Sequence, residues 1–143
     1  MMNKISNTVI VDFTALPIQN GAYIAGVAID FFHIDEEENR SYVPYKVASL
    51  YIDEKEVDSV SGCIKYALKR LIKEVPEGVK RVVIRSDLKQ FMHNRRYREE
   101  IDGMIDAEIR IKYFHRLGNK RNQIQLLAND ALNRKSSVIG EIE

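Results

Sequence analysis

Thr8-Val9-Ile10-Val11-Asp12-Phe13-Thr14-Ala15-Leu16, closed by Pro17, is the stretch on which the fold turns. It is short and rich in β-branched and aromatic residues, so it reads as a strand buried on both faces. Asp12 stands in its middle. A carboxylate among apolar neighbours is costly unless something compensates its charge. Either Asp12 ends the buried part of the strand and bonds backbone or Thr14, or it faces a cleft and holds a cation.

With 143 residues, the chain suits one domain with its own core, spanning 1–143 with a folded core over about 7–135. A hydrophobic fraction of 45% and a charged fraction of 30% are those of a soluble globular protein. No apolar run approaches the roughly 20 residues that span a bilayer, and residues 1–7 lack the apolar centre of a signal peptide. Cys63 is the single cysteine, which excludes an internal disulfide and suits a reducing cytoplasm. The net charge of +1 selects no partner.

Around the opening strand the chain alternates in period. Asn20-Gly21 marks a turn, and Ala22 to Phe32 a second strand, whose Ala25-Gly26 and Ala28 suit a closely packed helix. Ser41 to Ile52 is a third strand, placed at a sheet edge because Pro44 donates no ladder hydrogen bond. From Val57 to Val75 apolar residues recur at three- and four-residue steps, a helix opened by Asp53 and Glu56 as an acidic capping box. Gly62 within it predicts a close backbone approach. Val82-Val83-Ile84 centres a fourth strand ending at Ser86-Asp87, and Leu88 to Ile105 carries short helix. Ile109, Ile111 and Tyr113 alternate with Arg110, Lys112 and Phe114 in a half-exposed fifth strand. Ile124, Leu127 and Leu132 mark a last helix, with a frayed tail from Ser136.

Two hairpins followed by right-handed crossovers give an α/β domain with a five-stranded mixed sheet, order 3-2-1-4-5, strand two antiparallel to the rest. Asp12 and Asp87 then lie on adjacent parallel strands, with Asp87 at the carboxyl end where ligands gather in open sheets.

These strands, the helix and the two aspartates resemble the ribonuclease H family over residues 7 to 135. The family holds two metal ions with an aspartate in the first strand, a glutamate in the first helix, an aspartate ending the fourth strand and an aspartate in the last helix. Asp12 matches the first and Asp87 the third, while His115 resembles the family histidine that assists product release. The resemblance therefore assigns Asp12, Asp87 and His115 as catalytic, and Asp12 and Asp87 as ligands of Mg2+ or Mn2+. The first helix departs from the pattern, with Val60 in the glutamate's register and Glu56 one turn earlier. In the last helix Gln125-Leu126-Leu127-Ala128 takes the register of the family's aspartate segment, ten residues after His115. Asp130 is a rival, about 140° around the helix from Gln125. Glu56, Gln125 and Asp130 are thus the replacement ligands, and two carboxylates suit one weakly held metal better than two.

Arg95, Arg96, Arg98, Arg116, Lys120 and Arg121 follow the carboxyl ends of strands, where a phosphate backbone would run. Against that stands a solvated surface balanced by Glu99, Glu100, Asp102 and Asp106. An actin-type phosphotransferase half shares the first three strands, but the chain has no glycine-rich phosphate loop. Two functions stay open: a metal-dependent endonuclease cutting the RNA strand of RNA–DNA hybrids, or a degenerate module that kept the fold for nucleic-acid or protein interaction. Asp12, Asp87 and His115 together speak for the first, Val60 for the second.

Overall fold

The computed structural model describes residues 8–18, 21–34, 36–53, 55, 57–75, 78–88, 95–104, 108–114 and 121–141. Within it the opening stretch is strand β1, Thr8–Pro17. On one side β1 pairs antiparallel with β2, Tyr23–Ile34, and on the other it runs parallel to β4, Arg81–Ser86. Both faces are covered, so Val9, Val11, Phe13 and Ala15 are buried on one and Ile10, Asp12 and Thr14 on the other. That is why this segment is a continuous apolar run rather than an alternating one.

β3, Arg40–Ile52, pairs antiparallel with β2, and β5, Arg110–Phe114, runs parallel to β4. The expected order 3-2-1-4-5 is present, but the sheet has six strands, β5-β4-β1-β2-β3-β6. The tail expected to fray supplies the sixth: Val138–Glu141 forms β6, antiparallel to residues 46–49 of β3. Ser137 anchors it, accepting from the Tyr51 N–H at 2.9 Å and donating to the Tyr51 carbonyl at 3.1 Å. β3 is therefore an edge only along its first half, and Pro44 lies in that half. The register slips there, Ile29 facing Lys46 and Asp30 facing Pro44, so Tyr45 is an extra residue in a bulge. A proline without a ladder donor is accommodated at such a place.

Helix α1, Val60–Ile72, and helix α2, Arg95–Asp102, lie on the Phe13 face. Cys63, Ile64, Ala67, Leu68 and Leu71 of α1 meet Val9, Val27 and Leu50, and Tyr97 and Ile101 of α2 close the same core. The N-cap of α1 is Ser59, not the expected Asp53–Glu56 box, and its hydroxyl accepts from the Gly62 N–H at 3.0 Å. Gly62 therefore makes no close approach to another element. A Cβ there would meet only the Ser59 hydroxyl, at 3.3 Å.

On the opposite face lies helix α3, Arg121–Arg134, its buried Ile124, Ala128 and Ala131 against β2 and β3. Gly26 is the reason it fits. A Cβ at that position would stand 1.9 Å from the Ile124 carbonyl oxygen and 2.9 Å from the Ala128 nitrogen. The small residues of the second strand admit the helix backbone itself, as the sequence suggests. Leu126 and Leu132, by contrast, are exposed, off the contact stripe of Ile124, Ala128 and Ala131. Among the described residues no helix is long and apolar enough to cross a membrane.

Candidate functional site

Asp12 lies on the α3 face of the sheet, fully buried, directly opposite Arg85 of β4. Parallel pairing puts both side chains on one face, and they meet as two planar forks. Arg85 Nε donates to Asp12 Oδ1 at 2.6 Å and Arg85 Nη2 to Oδ2 at 2.9 Å. Such bidentate pairs are short, strong and directional. The Arg85 guanidinium is a quarter exposed, and hydrogen bonding to Asp12 raises its pKa, against the opposing effect of burial. Asp30 adds to that rise. It is a second fully buried carboxylate on β2, opposite Ile10. The guanidinium also sits 5.9 Å from the ring centre of Tyr42, which stacks on Phe32 at 5.4 Å.

Asp87 is one step outward. It follows β4, is exposed, and accepts a hydrogen bond from the Thr14 hydroxyl at 3.0 Å. Strand geometry puts its Cα about 8 Å from that of Asp12. Just after β4, the Ser86 hydroxyl accepts from the Leu88 N–H at 3.1 Å. On α3, Gln125 is half-buried, on the flank facing away from Leu127, whose carbonyl accepts from the Ser49 hydroxyl of β3. Asp130 is exposed on the outer side of the helix. Glu56, His115, Arg116 and Lys120 lie outside the described residues.

Two divalent cations need several anionic oxygens converging on them. Among the described residues no group of three or more His, Cys, Asp or Glu side chains could hold a metal ion. Both oxygens of Asp12 already accept from Arg85. Among the described residues, this donor set supplies fewer anionic oxygens than a metal pair needs.

Arg95 and Arg96 are exposed on α2, and Arg121 is exposed at the start of α3. Arg95 pairs with Glu99 at 3.2 Å, and Glu100 pairs with Lys65, which holds the Glu100 carboxyl below its ordinary range. Arg95, Arg98, Glu99 and Asp102 form one wall of a shallow groove, and Ile111 to Phe114 of β5 form the other. At its base the Tyr113 hydroxyl donates to Asp102 at 2.6 Å, and burial pushes the phenol pKa well up.

Arg85 and Asp30 are the residues that sequence reasoning missed. Arg85 had a signal: once β1 and β4 are parallel neighbours, Val-Val-Ile-Arg-Ser-Asp in register with Val-Ile-Val-Asp-Phe-Thr puts an arginine beside Asp12. Asp30 likewise interrupts an apolar strand.

No protein-family model matches the chain, and no curated protein matches it. Among solved structures it is similar to the PFV RNase H domain, with 14% identity over 90% of this chain and 93% of that one, at a TM-score of 0.32. It is similar also to the native prototype foamy virus protease–reverse transcriptase, with 14% identity over 86% of this chain, at a TM-score of 0.40. The chain spans only 20% of that protein's length.

Proposed function

We propose that this domain is a nucleic-acid-binding module of ribonuclease H-like architecture in which an internal ion pair has replaced the metal centre. The observation that carries the reading is the two-pronged bond from Arg85 to Asp12. A guanidinium there supplies the positive charge that a metal would supply in the family, but it offers no open coordination position for water or phosphate. Val60 fits the same reading, since a valine neither ligates a cation nor orients a water.

The support for nucleic acid is the strand order with Asp12 beside β4, together with the arginines of α2 that line the groove against β5. A polyanion would release counterions there, so binding would weaken steeply with salt. RNA–DNA hybrid is the first ligand to try, because it is what the family resemblance implies.

The test is a labelled hybrid titrated at graded salt, with cleavage followed in magnesium and in manganese, beside Asp87→Asn and Arg95→Ala/Arg98→Ala. Expected is salt-dependent binding weakened by the arginine variant, with no cleavage. Cleavage abolished by Asp87→Asn would restore the metal-dependent endonuclease. Absence of both binding and cleavage would leave a protein-interaction scaffold.

A further inference from the structure

Helix α3 packs on β1, β2 and β3 of its face of the sheet, and among the described residues no helix covers the β4 and β5 side of that face. Three same-face pairs lie there side by side: Arg81 with Arg110, Val83 with Lys112, and Arg85 with Phe114. Arg81, Arg110 and Lys112 are exposed, Val83 is only half-buried, and Phe114 is 50% exposed. Among the described residues none of the three cations makes an ion pair. Like charges directly opposite one another on neighbouring strands are destabilising. A fold that places Arg81 against Arg110, with Lys112 one same-face step away, accepts that cost at an open surface.

The geometry points to this open face of β4 and β5 as a binding site for single-stranded nucleic acid, with phosphates on Arg81, Arg110 and Lys112 and a base stacked on Phe114. Charge complementarity selects a polyanion, and the half-exposed phenyl ring in line with the cations selects one that carries flat rings. Same-face positions on a strand recur about every 6.6 Å, a step that one extended nucleotide spans. A duplex keeps its bases stacked away from Phe114, whereas a single strand can turn one outward. The inference rests on the nucleic-acid reading: it shares Lys112 and Phe114 with the groove beside α2 and adds Arg81 and Arg110.

Fluorescence anisotropy of a labelled oligothymidylate with the full chain, at graded salt, tests it. The triple variant Arg81→Ala/Arg110→Ala/Lys112→Ala should lower the slope of log affinity against log salt by about 2, at about 0.7 per phosphate lost. Phe114→Ala should cost about five- to a hundredfold in affinity and leave that slope unchanged. All four positions are exposed, so far-ultraviolet circular dichroism should match the parent. Binding that ignores both variants overturns the site. So does a triple variant that loses a polyglutamate peptide equally while Phe114→Ala has no effect, which marks a general anion surface for acidic protein. Hybrid binding without single-strand binding ends this inference and leaves the proposed function standing; binding of neither ends both.

Discussion

Asp12 and Arg85 occupy directly opposed positions on parallel strands, and each oxygen of the carboxylate accepts from a different nitrogen of the guanidinium. The pair is asymmetric in what surrounds it, because Asp30 lends its charge to the same guanidinium. Removing the arginine therefore takes a positive charge from beside two buried carboxylates, whereas neutralising Asp12 leaves Arg85 facing Asp30. Arg85→Ala should destabilise the domain by about 3–5 kcal/mol, the usual cost of breaking a buried pair, and Asp12→Asn by less. Urea unfolding of both single variants and the double variant checks this. Additive losses would mean that the two side chains do not act as a unit.

Gly26 carries the docking of α3. With the Ile124 carbonyl oxygen 1.9 Å from where a Cβ would sit, Gly26→Ala cannot be absorbed by a rotamer change, because the obstructing atoms are backbone. The helix must lift from β2, at about 3 kcal/mol, the upper end of ordinary overpacking. Limited trypsin digestion should then cut at Arg134 or Arg121 before the rest of the domain is touched. Unchanged digestion and an unchanged urea midpoint would show that α3 is not seated as described.

Cys63 gives a pH signature. Burial against the sheet pushes its thiol from 9.0 up to about 12. The folded state thus holds this proton more tightly than the unfolded chain. Its contribution is complete below pH 9 and is lost as pH rises toward 12, with a slope of up to about 1.4 kcal/mol per pH unit. A thiol reagent at pH 8 should leave Cys63 untouched until denaturant is added. Fast labelling of the native protein would contradict its burial, and a stability flat from pH 9 to 11 would contradict the shift.

The sequence made the central order of the sheet legible because two local signals agreed: handedness put strand four beside strand one, and Pro44 kept strand three away from the middle. What it concealed was decided by distant partners. Val138-Ile139-Gly140-Glu141 is four residues without clear alternation, and becomes a strand only because half of the β3 edge is open to it. Asp53 and Glu56 imitate a capping box, while the helix is capped six residues after Asp53 by Ser59, where Gly62 supplies the N–H. At the site, Asp12 and Asp87 announce themselves as carboxylates at strand positions. The partner of Asp12 does not, since an arginine inside a strand says nothing until the register across β1 and β4 is known. Glu56 and His115 fall outside the described residues.

The last strand should matter more than its length suggests. β6 covers residues 46–49 of β3, and Ser137 satisfies both backbone groups of Tyr51. Just before it, Arg134 at the end of α3 donates to the Ser49 hydroxyl at 2.9 Å and to the Ser136 carbonyl at 3.2 Å. Ser49 in turn donates to the Leu127 carbonyl at 2.5 Å, tying strand, helix and tail together. Deleting residues 136–143 exposes a row of unpaired backbone groups on β3, a template for pairing with another chain. The truncated protein should elute as a concentration-dependent mixture with dimer, and it should unfold at lower urea than the parent. Adding Lys at position 48, in place of Ala48, is not a remedy, because that side chain is buried in the core. Lysine at Val47 instead meets the Ala28 and Ile124 contact. The single charge along the stretch that β6 covers, Lys46, is held in an ion pair with Glu74, so the edge there depends on pairing with β6. A truncated chain that stays monomeric at high concentration with the parent's urea midpoint would show β6 to be dispensable.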